Sequence, residues 1–161
     1  MIHKNDMDTL PLDVSDDERL ARAVFYPLHL DKKGKLKKEA FKAPTGRRDV
    51  SVNRLRALDA NACKARSKAI RNPGEFKGFA VFVAGSIRDS GSEVVDSRKE
   101  YLGHADIIHP IALEKGVPAP PEFNQRLRQM ALRAKYFPDS DPESDCWSGE
   151  DFASELVVIA R

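Results

Sequence analysis

The run Phe79-Ala80-Val81-Phe82-Val83-Ala84 is apolar at every position. A strand with one wet face alternates apolar and polar residues, so an unbroken apolar run of this length belongs centrally in a sheet covered on both faces. The rest of the chain must then supply flanking strands and apolar helix stripes to cover them. Val50-Ser51-Val52-Asn53-Arg54-Leu55 alternates with period two and reads as a strand. Glu93–Asp96 reads as a short partner strand after the Ser90-Gly91-Ser92 turn. Leu102–Ile111 holds a second apolar stretch, and Phe152–Ala160 closes the chain as a strand around Leu156–Ile159.

Helical spacing appears in two places. Leu58, Ala62, Ala65 and Ala69 share one face, Asp59 caps the segment, and Asn72-Pro73-Gly74 ends it. Its outer face is basic, with Lys64, Arg66, Lys68 and Arg71. The clearest helix covers Glu122–Tyr136, where Phe123, Leu127, Met130, Ala131 and Ala134 form the stripe between Pro121 and Pro138. Ser15-Asp16-Asp17-Glu18 has the form of a capping box and predicts one helical turn ahead of a strand ending near Pro27. Leu36–Phe41 forms a short helix or an extended excursion. These elements predict an α+β fold with a mixed or antiparallel sheet and two or three helices packed on it. Residues 1–14 are expected to be irregular or mobile, and 15–161 to form one domain.

At 161 residues, 41% apolar and 32% charged, the chain has material for one core. It holds no apolar run of membrane-spanning length, opens on the polar MIHKNDMDTL, and has two cysteines. The expectation is a soluble protein of a reducing, cytoplasmic setting, with no membrane partner.

Charge is strongly segregated along the chain. Residues 1–18 carry six acids and one Lys, residues 31–77 carry fifteen Lys/Arg against five acids, and residues 139–155 carry seven acids and no base. A basic middle attracts phosphate, so nucleic acid or a nucleotide is a candidate partner. The competing reading has the acidic ends fold back and neutralise it. Arg47, Arg48, Arg54, Arg66 and Arg71 are the expected phosphate contacts, since guanidinium forks grip phosphate bidentately.

The candidate chemistry lies in the histidines. His104-Ala105-Asp106 in a strand points His104 and Asp106 to one face, and a carboxylate beside an imidazole suits general-base work. With His29 and Ser51 on neighbouring segments and Arg54 at the rim, a pocket would hold a base, a hydroxyl and a phosphate-gripping cation. The catalytic candidates are therefore His29, Ser51, His104 and Asp106. His104, Asp106 and His109 match no zinc signature, and Cys63 and Cys146 stand in no paired motif. The loop from Asp139 to Glu150 lacks the glycine of a calcium loop, and no glycine-rich phosphate cradle is present. Neither a metal nor a cofactor is expected.

Trp147 is expected to pack down and anchor the acidic loop, with a role in partner binding as the alternative. Three function classes follow. The leading one is a protein that binds or acts on a phosphate-bearing ligand, RNA or a dinucleotide. Against it stand a protein-binding module of antitoxin, immunity or inhibitor type, and a nucleic-acid binder without catalysis.

Overall fold

A computed structural model describes residues 10–70, 72–154 and 159 of the chain. The strands are β1 (Arg19–Tyr26), β2 (Asp49–Arg54), β3 (Glu75–Val83), β4 (Glu93–Asp96), β5 (His104–Ile108) and β6 (Lys135–Pro138). The helices are α1 (Ala60–Ser67), α2 (Ala84–Asp89) and α3 (Pro121–Arg133), with one 3-10 turn over Lys38–Phe41. The strands form a single sheet in the order β4-β5-β2-β1-β3-β6, and every neighbouring pair is antiparallel. The fold is α+β, as the element pattern predicts.

The apolar run does sit inside the sheet, in β3 between β1 and β6. Its two faces feed two cores. Phe82 and Ala80 join Leu20, Val24, Val52 and Ile107 beneath α3 and the 3-10 turn, where Phe41, Phe123, Leu127 and Met130 are buried. Phe79 and Val81 face the other way, toward Ala21, Phe25, Cys63 of α1, Phe137 and Phe152. Trp147 packs on this second core, 5.7 Å from Phe79 and 4.8 Å from Phe152 between ring centroids, and its Nε1 donates to the Glu150 carbonyl at 2.9 Å. It anchors the acidic loop.

Local differences from the sequence reading have physical causes. Ser15–Glu18 makes one turn, with the Glu18 N–H on the Ser15 carbonyl at 3.1 Å, and no helix follows it. The Glu18 carboxylate, expected at a helix N-terminus, is buried on Arg54. The last helix stops at Arg133, and Lys135–Pro138 form β6 against the outer edge of β3. That pairing needs Gly78, because a Cβ there would lie 2.1 Å from the Phe137 carbonyl oxygen. The helix α2 directly after β3 was not foreseen. Residues 10–14 are irregular, and Leu10 and Val14 are buried. Most of the expected closing strand lies outside the described residues, and Phe152, Ala153 and Ser154 form no strand. Among the described residues no helix is long and apolar enough to cross a membrane.

Two buried cations hold the architecture together, and neither is on the surface where the sequence placed it. Lys64, assigned to the basic outer face of α1, is fully buried with its Nζ 2.7 Å from an Asp139 oxygen. It also donates to the Asp141 and Cys146 carbonyls at 3.0 and 2.6 Å, which pins the acidic loop to α1. Arg54 ends β2 with its Nε and Nη2 on Glu18 at 2.6 and 2.9 Å and its Nη1 on Asp96 at 2.6 Å. Arg98 closes the chain from the far side of Asp96, at 2.9 Å. Two cations and two carboxylates alternate, so the group is neutral as a whole. Removing one partner from a buried pair leaves a bare charge behind. Arg54→Met should therefore lower stability by about 3–5 kcal/mol, read as a fall in the urea midpoint. A loss under 1 kcal/mol would show that the chain of charges is dispensable.

A candidate ligand cleft on the open face of the sheet

The register of β2 and β5 builds the site. Ser51 stands opposite Asp106 and Asn53 opposite His104, so these side chains share one sheet face. On the β1, β3 and β6 side that face is covered by α1 and the C-terminal residues. Over β2 and β5 it opens as a cleft of about 650 Å³, whose lining includes Ser51, Asp49, Ser97, His104 and Asp106. Arg47, Arg98 and Lys99 supply its cations. The strand-parity argument for His104 and Asp106 holds: their Nε2 and Oδ1 are 4.0 Å apart.

Ser97, absent from the sequence reading, completes the group. Its Oγ lies 2.6 Å from His104 Nδ1. With the ring N–H as the donor in this bond, the lone pair lies on Nε2. Burial lifts the Asp106 carboxyl above its ordinary range, against the opposing pull of Ser97 and His104. Tyr101 meets His104 edge-on at 4.9 Å and donates to Asn53 Oδ1 at 2.5 Å. Arg66 caps the other side of that ring, its guanidinium carbon 3.9 Å from the Tyr101 centroid.

The other predicted site residues disperse. Arg54 does not face a ligand, because its guanidinium is fully buried on Glu18 and Asp96. Glu18 belongs to the acidic N-terminal segment, so this half of the pairing is the fold-back that the competing charge reading describes, whereas Asp96 lies outside both acidic ends. Arg47 is exposed and paired with Asp49. Arg48 is exposed and lies outside the cleft lining. Arg66 buttresses Tyr101 and lines a separate cleft beside Asp151 and Ser154. Arg71 lies outside the described residues. His109 points to the opposite face, where Nε2 donates to the Phe41 carbonyl at 2.7 Å and Nδ1 accepts from Ser92 Oγ at 2.7 Å. It cannot join His104 and Asp106 around an ion.

His29 opens on a second, smaller cleft of about 450 Å³, which shares Arg47, Asp49 and Ser51 with the first. Its Nδ1 accepts the Phe25 N–H at 3.0 Å. Burial, with the nearby charges of Arg22 and Lys37, pushes its pKa down to about 3. His29 is thus a neutral structural acceptor. No protein-family model, curated protein or solved structure matches the chain. What the fold and site define is a six-stranded antiparallel α+β domain with a polar cleft over β2 and β5 and a second cleft that shares Arg47, Asp49 and Ser51 with it.

The histidines set an acid response. His29 and His109 both have pKa values lowered by burial. The unfolded chain binds their protons near pH 6.5, whereas the folded protein resists doing so. Their contribution is complete above pH 6.5 and declines as the pH falls toward the folded values. Between pH 6.5 and about 4.5, above the ordinary carboxylate range, His29 removes up to about 1.4 kcal/mol per pH unit, and His109 acts in the same direction. His29→Gln keeps an acceptor for the Phe25 N–H and should flatten that slope in urea titrations. Equal slopes for the variant and the parent would refute the assignment.

Proposed function

We propose that the protein binds a phosphate-bearing ligand of the nucleotide class, an RNA end or a dinucleotide, in the cleft above β2 and β5. The observation that carries this reading is the Ser97–His104–Asp106 group on the wall of a cleft that also presents Arg47, Arg98 and Lys99. The cleft is wide enough for a sugar with its substituents. Asp49 and Asp106 are acceptors for ligand hydroxyls, and the rim cations are contacts for phosphate.

The chemistry such a group supports is proton transfer. A ligand hydroxyl within reach of Nε2 gives its proton to the ring lone pair. The ring has the Asp106 carboxylate 4.0 Å from Nε2 and is held in orientation by the bond between Nδ1 and Ser97. His104 is the base, and Ser97 is a positioning residue. His29 and Arg54 have no part in it.

Direct binding tests the reading. A short single-stranded RNA and NAD, each titrated by calorimetry in about 20 mM and about 150 mM salt, should give affinity that weakens as salt rises. His104→Ala should weaken it by at least about tenfold, or about 1.4 kcal/mol. No binding of either ligand at the lower salt would end the proposal. So would a stoichiometric protein partner that covers the cleft, which would favour the protein-binding module instead.

A further inference from the structure

Arg22 lines the second cleft with no carboxylate in contact among the described residues. Registered pairing between β1 and β2 covers Leu20↔Arg54 and Ala21↔Asn53, and beyond it the two strands part. The Arg22 side chain fills the gap, its Nε on the Ala40 carbonyl at 2.9 Å and its Nη1 on the Ser51 carbonyl at 3.1 Å. Two of its five N–H groups are thus placed on backbone oxygens. Arg54 and Lys64, which are fully buried, each have carboxylates in contact, whereas Arg22 is half-buried. Arg22 has none among the described residues.

A half-buried guanidinium whose bonds run only to backbone carbonyls keeps its positive charge uncancelled at the wall it lines. Here the gap is also the wall of the second cleft, and Lys42 and Arg47 line the same space. Thr45 and Ser51 add hydroxyls. Glu39 lies in the lining too, but Lys38 is 3.0 Å from its carboxylate. Asp49 is held by Arg47. Arg22 and Lys37 also act on the buried His29 ring, whose basicity is lowered first by burial and then by these two charges.

We propose that the second cleft is an oxyanion site in which Arg22 and Lys42 receive a phosphate group. The inference rests on the nucleotide reading above only for the ligand to which that phosphate belongs. Since the two clefts share Arg47, Asp49 and Ser51, the ligand would lie across them, with phosphate at Arg22 and a hydroxyl-bearing unit at His104.

Inorganic phosphate and thermal unfolding of the whole chain separate the two ideas. A group that binds only the folded state raises Tm with ligand concentration. Millimolar phosphate should raise the Tm of the wild type above that in chloride of equal ionic strength. Arg22→Gln should lose the rise, Lys42→Ala should reduce it, and His104→Ala should keep it. Lys42→Ala carries the test should Arg22→Gln fail to fold. An equal rise in the wild type, Arg22→Gln and Lys42→Ala, or no rise beyond chloride, overturns the oxyanion site. If NAD or RNA then still binds with unchanged affinity in these variants, the nucleotide reading survives without it. If phosphate binds through Arg22 while NAD and RNA do not bind at all, the oxyanion site stands and the nucleotide reading falls.

Discussion

Four side chains in a row, Glu18, Arg54, Asp96 and Arg98, fix the geometry on which the candidate site depends. Arg54 sits at the end of β2, Glu18 just before β1, and Asp96 at the end of β4. Strand ends far apart in sequence are therefore held by charge-assisted bonds in a setting with little water to screen them. The Pro11 carbonyl accepts from Arg54 at 2.6 Å and from Arg98 at 3.1 Å, so the N-terminal segment is drawn into the same lock. Burial alone would raise the Asp96 carboxyl, yet its bonds to Arg98 and Arg54 hold it below the ordinary range. Ser97 lies between Asp96 and Arg98 in the chain. Its hydroxyl, 2.6 Å from His104 Nδ1, is positioned by a backbone clamped on both sides. The structural ion pairs and the candidate chemistry are one assembly.

The open cleft has an equally local cause. β2 and β5 pair in full register from Asp49↔Ile108 to Asn53↔His104, so one face of this pair presents Asp49, Ser51, Asn53, His104 and Asp106 in two facing rows. The same strands turn Val50, Val52, Ala105 and Ile107 into the core beneath α3. A shift of one residue in either strand would exchange the two sets and bury the acids. The polar floor of the cleft is thus specified by the hydrophobic pattern on its reverse side.

Much of this was legible in the sequence because period-two and helical spacing report burial directly. The apolar run of β3, the alternation in β2, the Asp59 cap and the stripe of α3 each follow from side-chain direction alone. The cap is seen in Asp59 Oδ1 accepting the Ala62 N–H at 2.8 Å. The pairing of His104 with Asp106 was legible for the same reason. What escaped were the features set by tertiary partners. β6 has only four residues and exists because the edge of β3 needs a ladder. Ser97 carries no pattern of its own, and it matters only because β4 and β5 are adjacent. Lys64 lies on a weakly amphipathic helix, where spacing cannot say that Asp139 will bury it.

Charge was the least transferable signal, for a reason the coordinates make plain. Counting Lys and Arg along the chain measures linear density, whereas a ligand responds to charge left over after folding. In the basic middle, Arg54 is matched by Glu18 and Asp96, Lys64 by Asp139, and Lys68 by Asp145. Each of these carboxylates comes from a segment remote in sequence, so a local count overstates the surplus. Arg22 shows the converse. It stands outside the basic segment, between the apolar Ala21 and Ala23 of β1, and adds nothing to any charge cluster. Yet its bonds run to the Ala40 and Ser51 carbonyls, which satisfy N–H groups without cancelling a positive charge. The positive charge left over after folding is therefore set by individual strand positions such as Arg22, and the length of the basic segment does not measure it.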